Sequence, residues 1–310
     1  MKESKKFLYI INYPTFEEEL CMLEMRSIFN TEPKDKILIS NIDFNPSYST
    51  FIKSQLEILN EEENFEDILK KLEKDIITLD DFRLEFIKAL KGDISYSERF
   101  VYLSKIGDKI VGVPDIKSPK LVLALGKYNE KWVFGIHEKN DKLWITHEKK
   151  PCSYSNSLSV RVAKSVVNIA ANGDKNIKII DPCCGVGTTI VEGLSMGYKI
   201  WGTEISEKNT NNAKRNLKFF NLEPRITHQD MHTIKENYNS SIVDIPYGLF
   251  SHITKDQQQD IIDTARRISK KMILITFEDL DHMAEKSGFK IVDRCIVIKG
   301  SFKRYILVCE

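Results

Sequence analysis

Asp181-Pro182-Cys183-Cys184-Gly185-Val186-Gly187-Thr188 is the stretch on which the fold of this chain turns. Before it lies the short apolar run Ile177 to Asp181, and after it the helical pattern Thr188 to Met196, so a buried strand passes into a helix across two glycines. Gly185 and Gly187 let backbone approach a ligand where a side chain would collide. Two glycines alone say little, but the acid at the strand's end says more. A dinucleotide site has its glycines directly after the strand, a third glycine, and a pyrophosphate on the helix N-terminus. Asp181 would repel such a pyrophosphate and suits an ammonium group instead.

The pattern extends on both sides of that turn. Ser157 to Ala171 reads as a helix with Leu158, Val162, Val166 and Ile169 on one face. Downstream, strands at Tyr198 to Ile205, Arg225 to Asp230, Ser240 to Asp244 and Met272 to Glu278 alternate with helices at Glu207 to Phe220, Lys255 to Ser269 and Asp279 to Ser287. Alternation of this kind predicts an α/β, doubly wound, Rossmann-like parallel sheet. Lys290 to Ile298 and Phe302 to Cys309, joined at Gly300, are connected too tightly to run parallel and are expected as a C-terminal antiparallel pair.

Asp181, Glu204 and Asp230 stand at three consecutive strand tips. Glu204, followed by Ile205, is placed to accept two ribose hydroxyls; Asp230, followed by Met231, to accept from an adenine amino group. With Cys183, Gly185, Gly187 and Thr188 in the turn, these positions predict a cleft for S-adenosylmethionine, with S-adenosylhomocysteine as the product. Each acid alone reads as a helix cap or a surface residue; the three together do not.

Asp244-Ile245-Pro246-Tyr247-Gly248 ends the fourth strand, at the switch point beside the same cleft, so Asp244 borders cofactor and substrate alike. An exocyclic amine conjugated to an aromatic ring is a poor nucleophile, and an enzyme must hold both its N–H groups and remove a proton. Asp244 can accept one N–H and the Ile245 carbonyl the other, with Pro246 stiffening the turn. Tyr247 offers a flat face to a base swung out of its stack. The bland alternative is a type I turn with a buried tyrosine.

These two motifs resemble those of the THUMP-domain tRNA guanine-N(2)-methyltransferases, within the class I S-adenosylmethionine-dependent RNA methyltransferases. Most members read Asp-Pro-Pro-Tyr where this chain has Ile245. Lys150-Pro151-Cys152-Ser153-Tyr154-Ser155, leading into Leu158 to Ala171, is similar to the family's approach to its first core strand, with that helix enclosing the methionine end and Arg161 as a site candidate. The resemblance implies transfer of methyl to the 2-amino group of a guanosine in tRNA. It also implies two regions, a ferredoxin-like plus THUMP-like RNA-binding region at 1–149 and the methyltransferase domain at 150–310. Lys105, Lys109, Lys117, Lys120 and Lys127 would then touch phosphate. Two other readings stay open: a DNA adenine or cytosine amino methyltransferase, because the tetrad chemistry is shared, and a non-catalytic RNA-binding module. Methylation of a release-factor glutamine favours Asn where Asp244 stands.

Before the turn, strands are expected at Phe7 to Tyr13 and Lys36 to Ile42 around a helix Glu17 to Phe29. A charged helix is read at Lys53 to Leu59 and an amphipathic one at Phe65 to Ile77. A strand follows at Asp81 to Ile87, a helix at Ser97 to Ile106, strands at Lys120 to Gly126 and Lys131 to His137, and a linker at Lys142 to Pro151. The 310 residues allow two cores, and 42% hydrophobic against 29% charged is ordinary for a folded protein. No apolar run nears the ~20 residues that span a bilayer, so a cytoplasmic protein without membrane contact is expected. The six cysteines lack paired spacing, so free thiols and no metal are expected. A net charge of +1 gives no global basic signature, so any tRNA contact needs segregated cations; no obligate protein partner is evident.

Overall fold

The computed structural model describes residues 5–88, 90, 94–154, 157–246, 253–299 and 302–310. In chain order the elements are β1 Lys6–Ile11, α1 Glu18–Phe29, β2 Ile37–Ser40, β3 Ile52–Glu62, α2 Phe65–Lys74, β4 Ile77–Thr78, β5 Phe82–Phe86, α3 Tyr96–Gly107, β6 Ile110–Val111, β7 Leu121–Tyr128 and β8 Lys131–Lys139. Then follow α4 Val160–Ala171, β9 Lys178–Asp181, α5 Thr188–Ser195, β10 Lys199–Glu204, α6 Glu207–Phe219, β11 Ile226–His228, β12 Tyr238–Asp244, α7 Lys255–Ile268, β13 Ser269–Thr276, α8 Asp281–Lys286, β14 Ile291–Lys299 and β15 Phe302–Cys309.

Two compact units emerge, and neither is a continuous stretch. One comprises 1–12, 33–46 and 52–140; the other comprises 13–32, 47–51 and 141–310. The division at 1–149 and 150–310 is therefore replaced. Helix α1 belongs to the later unit because Leu20, Leu23 and Ile28 are buried and it packs on α4 and β14.

The first unit has one six-stranded sheet, ordered β2-β1-β3-β8-β7-β5, in which only β5 and β7 pair in parallel. The charged helix expected at 53–59 is the central strand β3, hydrogen-bonded to β1 on one side and β8 on the other. Ile52, Ser54, Gln55 and Leu56 are all buried and the strand is hydrogen-bonded along both edges, which outweighs the helix propensity of Lys53 and Glu57.

The second unit holds the sheet β11-β10-β9-β12-β13-β15-β14. Its pairs are parallel from β11 to β13 and antiparallel from β13 to β14, which is the doubly wound layout with a terminal antiparallel pair. Ile179, Ile180, Ile242, Val243 and the Met272–Ile275 run are buried, as expected of strands covered on both faces. Ser159 caps α4 by accepting from the Val162 N–H, and Thr254 with Gln257 forms a capping box on α7. The expected linker 142–151 is instead a packed 3-10 turn, Leu143–Lys149, which buries Trp144 and His147. Its indole and imidazole supply the apolar area that holds a loop down.

Candidate active site

Strand β9 is followed by β10 and β11 on one side and β12 by β13 on the other, so the chain reverses direction across the sheet between β9 and β12. A cleft of about 670 Å³ opens there, within the size range of a small-molecule site. Asp181, Glu204, Asp230 and Asp244, at or just beyond four strand ends, all line it, and so do Cys183, Thr188, Ile205, Met231, Ile245 and Pro246. The geometry thus brings together the described candidates of the two motifs except Gly185 and Gly187. Tyr247 and Gly248 lie outside the described residues.

Asp181 is buried at the end of β9. Its Oδ1 accepts from the Cys183 N–H at 3.2 Å and its Oδ2 from the Thr189 hydroxyl. Burial pushes its carboxyl up to about 7; the two hydrogen bonds oppose the shift, and the charges of Asp244 and Glu204 add to it. Glu204 accepts the Gly185 N–H at 2.9 Å on Oε2 and the Ser206 N–H at 2.8 Å on Oε1. It therefore fixes the glycine turn as well as facing the cleft, and each oxygen keeps a lone pair for a hydroxyl donor. Asp230 caps a short 3-10 turn, accepting the His232 N–H at 2.9 Å, so here the capping role and the cleft position coexist. Exposed Ile205 forms the rim, and Met231 the floor, its sulfur 3.5 Å from that of Cys183.

Neither glycine is among the residues lining the cleft, and each has a reason within the turn itself. Gly185 has φ +54°, and a Cβ there would lie 2.2 Å from the Tyr154 hydroxyl. Gly187 has φ +77°, caps α5, and packs against Ile226 and Ala213, leaving room for helix against strand. Thr188 presents a buried hydroxyl that has no partner among the described residues.

Asp244 ends β12 with Oδ1 shut off from solvent and without a hydrogen-bond partner among the described residues. An orphaned carboxylate oxygen is costly, and burial raises its carboxyl to about 6, against the opposing charge of Arg304. The Ile245 N–H donates to Ile275 O at 3.0 Å, extending the β13 ladder through the start of the loop.

Thr189, Lys208, Asn209, Asn212 and His232 also line the cleft and are not singled out by the sequence. Thr189 was findable in principle, as a hydroxyl at the start of the helix that follows the acid. Tyr154, from the approach segment, lines the cleft, and burial raises its phenol well above the ordinary range, so it stays protonated. Arg161 is not in the cleft: it is bonded to Glu17 at 2.6 Å and stands over the rings of Phe51 and Trp144. Leu158 and the approach segment, more than α4 itself, border the cleft. Of the five lysines, Lys105, Lys109, Lys120 and Lys127 are ion-paired with Glu66, Glu73, Asp81 and Glu130.

Residues 147–285 match the family described as UPF0020, the RMKL-like methyltransferase domain, and these residues include the whole cleft lining from Ser153 to Ile261. Relatives of this chain include a tRNA (guanine(10)-N2)-dimethyltransferase of Pyrococcus abyssi, 26% identical over 176 residues, 53% of each chain. Another of that description, from Methanocaldococcus jannaschii, is 24% identical over 262 residues, 78% of this chain and 70% of the relative. The chain thus spans about half the length of the first relative. Among solved structures, TrmN from Thermus thermophilus aligns over 98% of this chain and 99% of its own, at 15% identity and a TM-score of 0.49. The match runs through the second unit from α4 into α8 and stops short of β14 and β15.

Proposed function

We propose that the chain transfers a methyl group from S-adenosylmethionine to the exocyclic 2-amino group of a guanosine in tRNA, with its first unit helping to hold the RNA. The observation that carries this reading is Asp244: a carboxylate at the switch point, one oxygen buried and unsatisfied, facing the same cleft as Asp181 and Glu204. The names of the relatives, tRNA (guanine(10)-N2)-dimethyltransferases, support this choice of substrate class.

The residues present fit the cofactor. Several carboxylates crowd a cleft of adequate volume, and burial raises two of them, an arrangement that a sulfonium and an ammonium would relieve. Glu204 would take the ribose hydroxyls, Ile205 and Met231 the purine faces, and Asp181 the ammonium end. When bound, the cofactor supplies an electrophilic methyl. Asp244 then does the chain's own work: it accepts an amine N–H, orients the nitrogen lone pair away from the ring, and receives the proton released on transfer. Pro246 limits the turn that carries it.

That role sets a pH dependence. With its carboxyl near pH 6, Asp244 is protonated in mild acid and cannot accept the N–H, so kcat/KM is expected to fall about tenfold per pH unit below 6 and to level off above 7. A raised carboxyl also means that the folded protein holds protons the unfolded chain has given up. Stability of the ligand-free protein should therefore decline as pH rises from about 4 to 7. Binding of the cationic cofactor should tighten over the same window, more than that of neutral-sulfur S-adenosylhomocysteine. A rate profile flat from pH 5 to 8 would remove Asp244 as the acceptor.

The substrate class is tested by incubating the protein with labelled cofactor and, separately, unmodified tRNA transcript and duplex DNA. Label is expected in tRNA, recovered as N2-methylguanosine. Label only in DNA, as methyladenine or methylcytosine, would replace this reading with the DNA amino methyltransferase; none in either would leave the binding module.

A further inference from the structure

The sheet register puts one more side chain at this end of the molecule. Asp244 pairs with Ile275 on β13, and Ile275 with Ile306 on β15. Paired residues share a sheet face, and so do residues two apart on one strand. Arg304, two before Ile306, therefore stands on the same face as Asp244, just beyond the Thr276–Tyr305 pair and so at the carboxyl ends of β12 and β13. Its guanidinium carbon sits 4.8 Å from the centre of the Phe277 ring, the residue that follows β13. Asp244 Oδ1 has no hydrogen-bond partner among the described residues, so the guanidinium of Arg304 does not close on that atom. A hydrogen-bond acceptor and a planar donor thus share one face at the substrate end of the sheet.

We propose that Arg304, held over Phe277, is a substrate-positioning residue that donates to the carbonyl oxygen of the target guanine while Asp244 accepts from its amine. The inference rests on the function proposed above and names how the same site tells its base from others. Guanine carries its amine and its O6 acceptor on one edge, with N1–H between them, and arginine is the side chain best suited to guanine acceptors. Adenine has no carbonyl to offer that donor.

The test is a cycle between protein and substrate. Wild-type protein and Arg304→Ala are assayed on a tRNA transcript whose methylated guanosine, once mapped, is either retained or replaced by 2-aminopurine, which keeps the amine and lacks O6. On guanosine, Arg304→Ala is expected to lose roughly tenfold or more in kcat/KM, the discrimination typical of one arginine–guanine contact. Replacement by 2-aminopurine should slow the wild type strongly and the variant little. Arg304→Lys, without the planar fork, should behave nearly as the alanine variant does. S-adenosylhomocysteine affinity should be unchanged in all three proteins. An equal 2-aminopurine penalty in both proteins, or an alanine variant within twofold of wild type, overturns the role of Arg304 while the proposed function stands. Loss of S-adenosylhomocysteine binding in both variants would make the residue structural and overturn it too. Wild-type protein inert on guanosine tRNA would overturn the proposed function itself.

Discussion

Asp244→Ala is expected to cost at least about a thousandfold in methyl transfer while leaving S-adenosylhomocysteine bound with nearly wild-type affinity. The two effects separate because Asp244 touches the cleft from the β12 side, whereas the glycine turn is fixed by Glu204, whose bonds to the Gly185 and Ser206 N–H groups do not involve it. Asp244→Asn keeps an acceptor of the same size and no titrating group. It should retain more activity than the alanine variant, and its rate should lose the decline below pH 6. Calorimetry of S-adenosylhomocysteine binding beside single-turnover methylation decides the matter. Full activity in the alanine variant would sink the proposed chemistry.

Glu192→Ala should be the most damaging stability variant. Glu192 is fully buried on α5, one turn past the glycine loop, with Lys164 Nζ 3.7 Å and His147 Nδ1 2.7 Å from its two oxygens. Lys164 is only 3% exposed, and burial lowers its pKa while the Glu192 charge opposes the shift. Removing the acid strands a buried ammonium, and loss of one partner of such a pair costs about 3–5 kcal/mol. Denaturant titration should show this as a shift in midpoint. Replacing Glu192 and Lys164 together by methionine should recover much of the loss, because an apolar pair needs no counter-charge. A double variant as unstable as Glu192→Ala would contradict that account.

The second unit was legible because its strands are short, apolar and separated by helices with clear periodicity, and because acids at strand tips are local signals. The register from Asp244 through Ile275 to Ile306 was not, since pairing joins residues far apart in sequence. Arg304 therefore looked like any strand cation until the sheet was in place. Lys53 to Leu59 misled because charged residues on the partly exposed side of a central strand mimic a polar helix face. Arg161 was legible only as a helical cation: its partner Glu17 lies on a segment that only tertiary folding brings near. The glycines were recognised, but the reason for them was not, because Tyr154 opposite Gly185 and Ala213 opposite Gly187 are contacts of the folded state.

Helix α1 is made early and used late. Buried Glu24 receives the Ser165 hydroxyl at 2.7 Å and the Asn168 amide at 2.7 Å, both on α4, with the intervening 33–140 stretch largely devoted to another core. A growing chain must therefore keep an apolar helix waiting on the ribosome for more than a hundred residues before its docking surface is translated. A shortened gene beginning at 141 would make a protein lacking that helix from the outset, with hydroxyl and amide groups facing bare water or each other. Attempts to express the second unit by trimming should instead splice Tyr13–Glu32 back on through a designed loop.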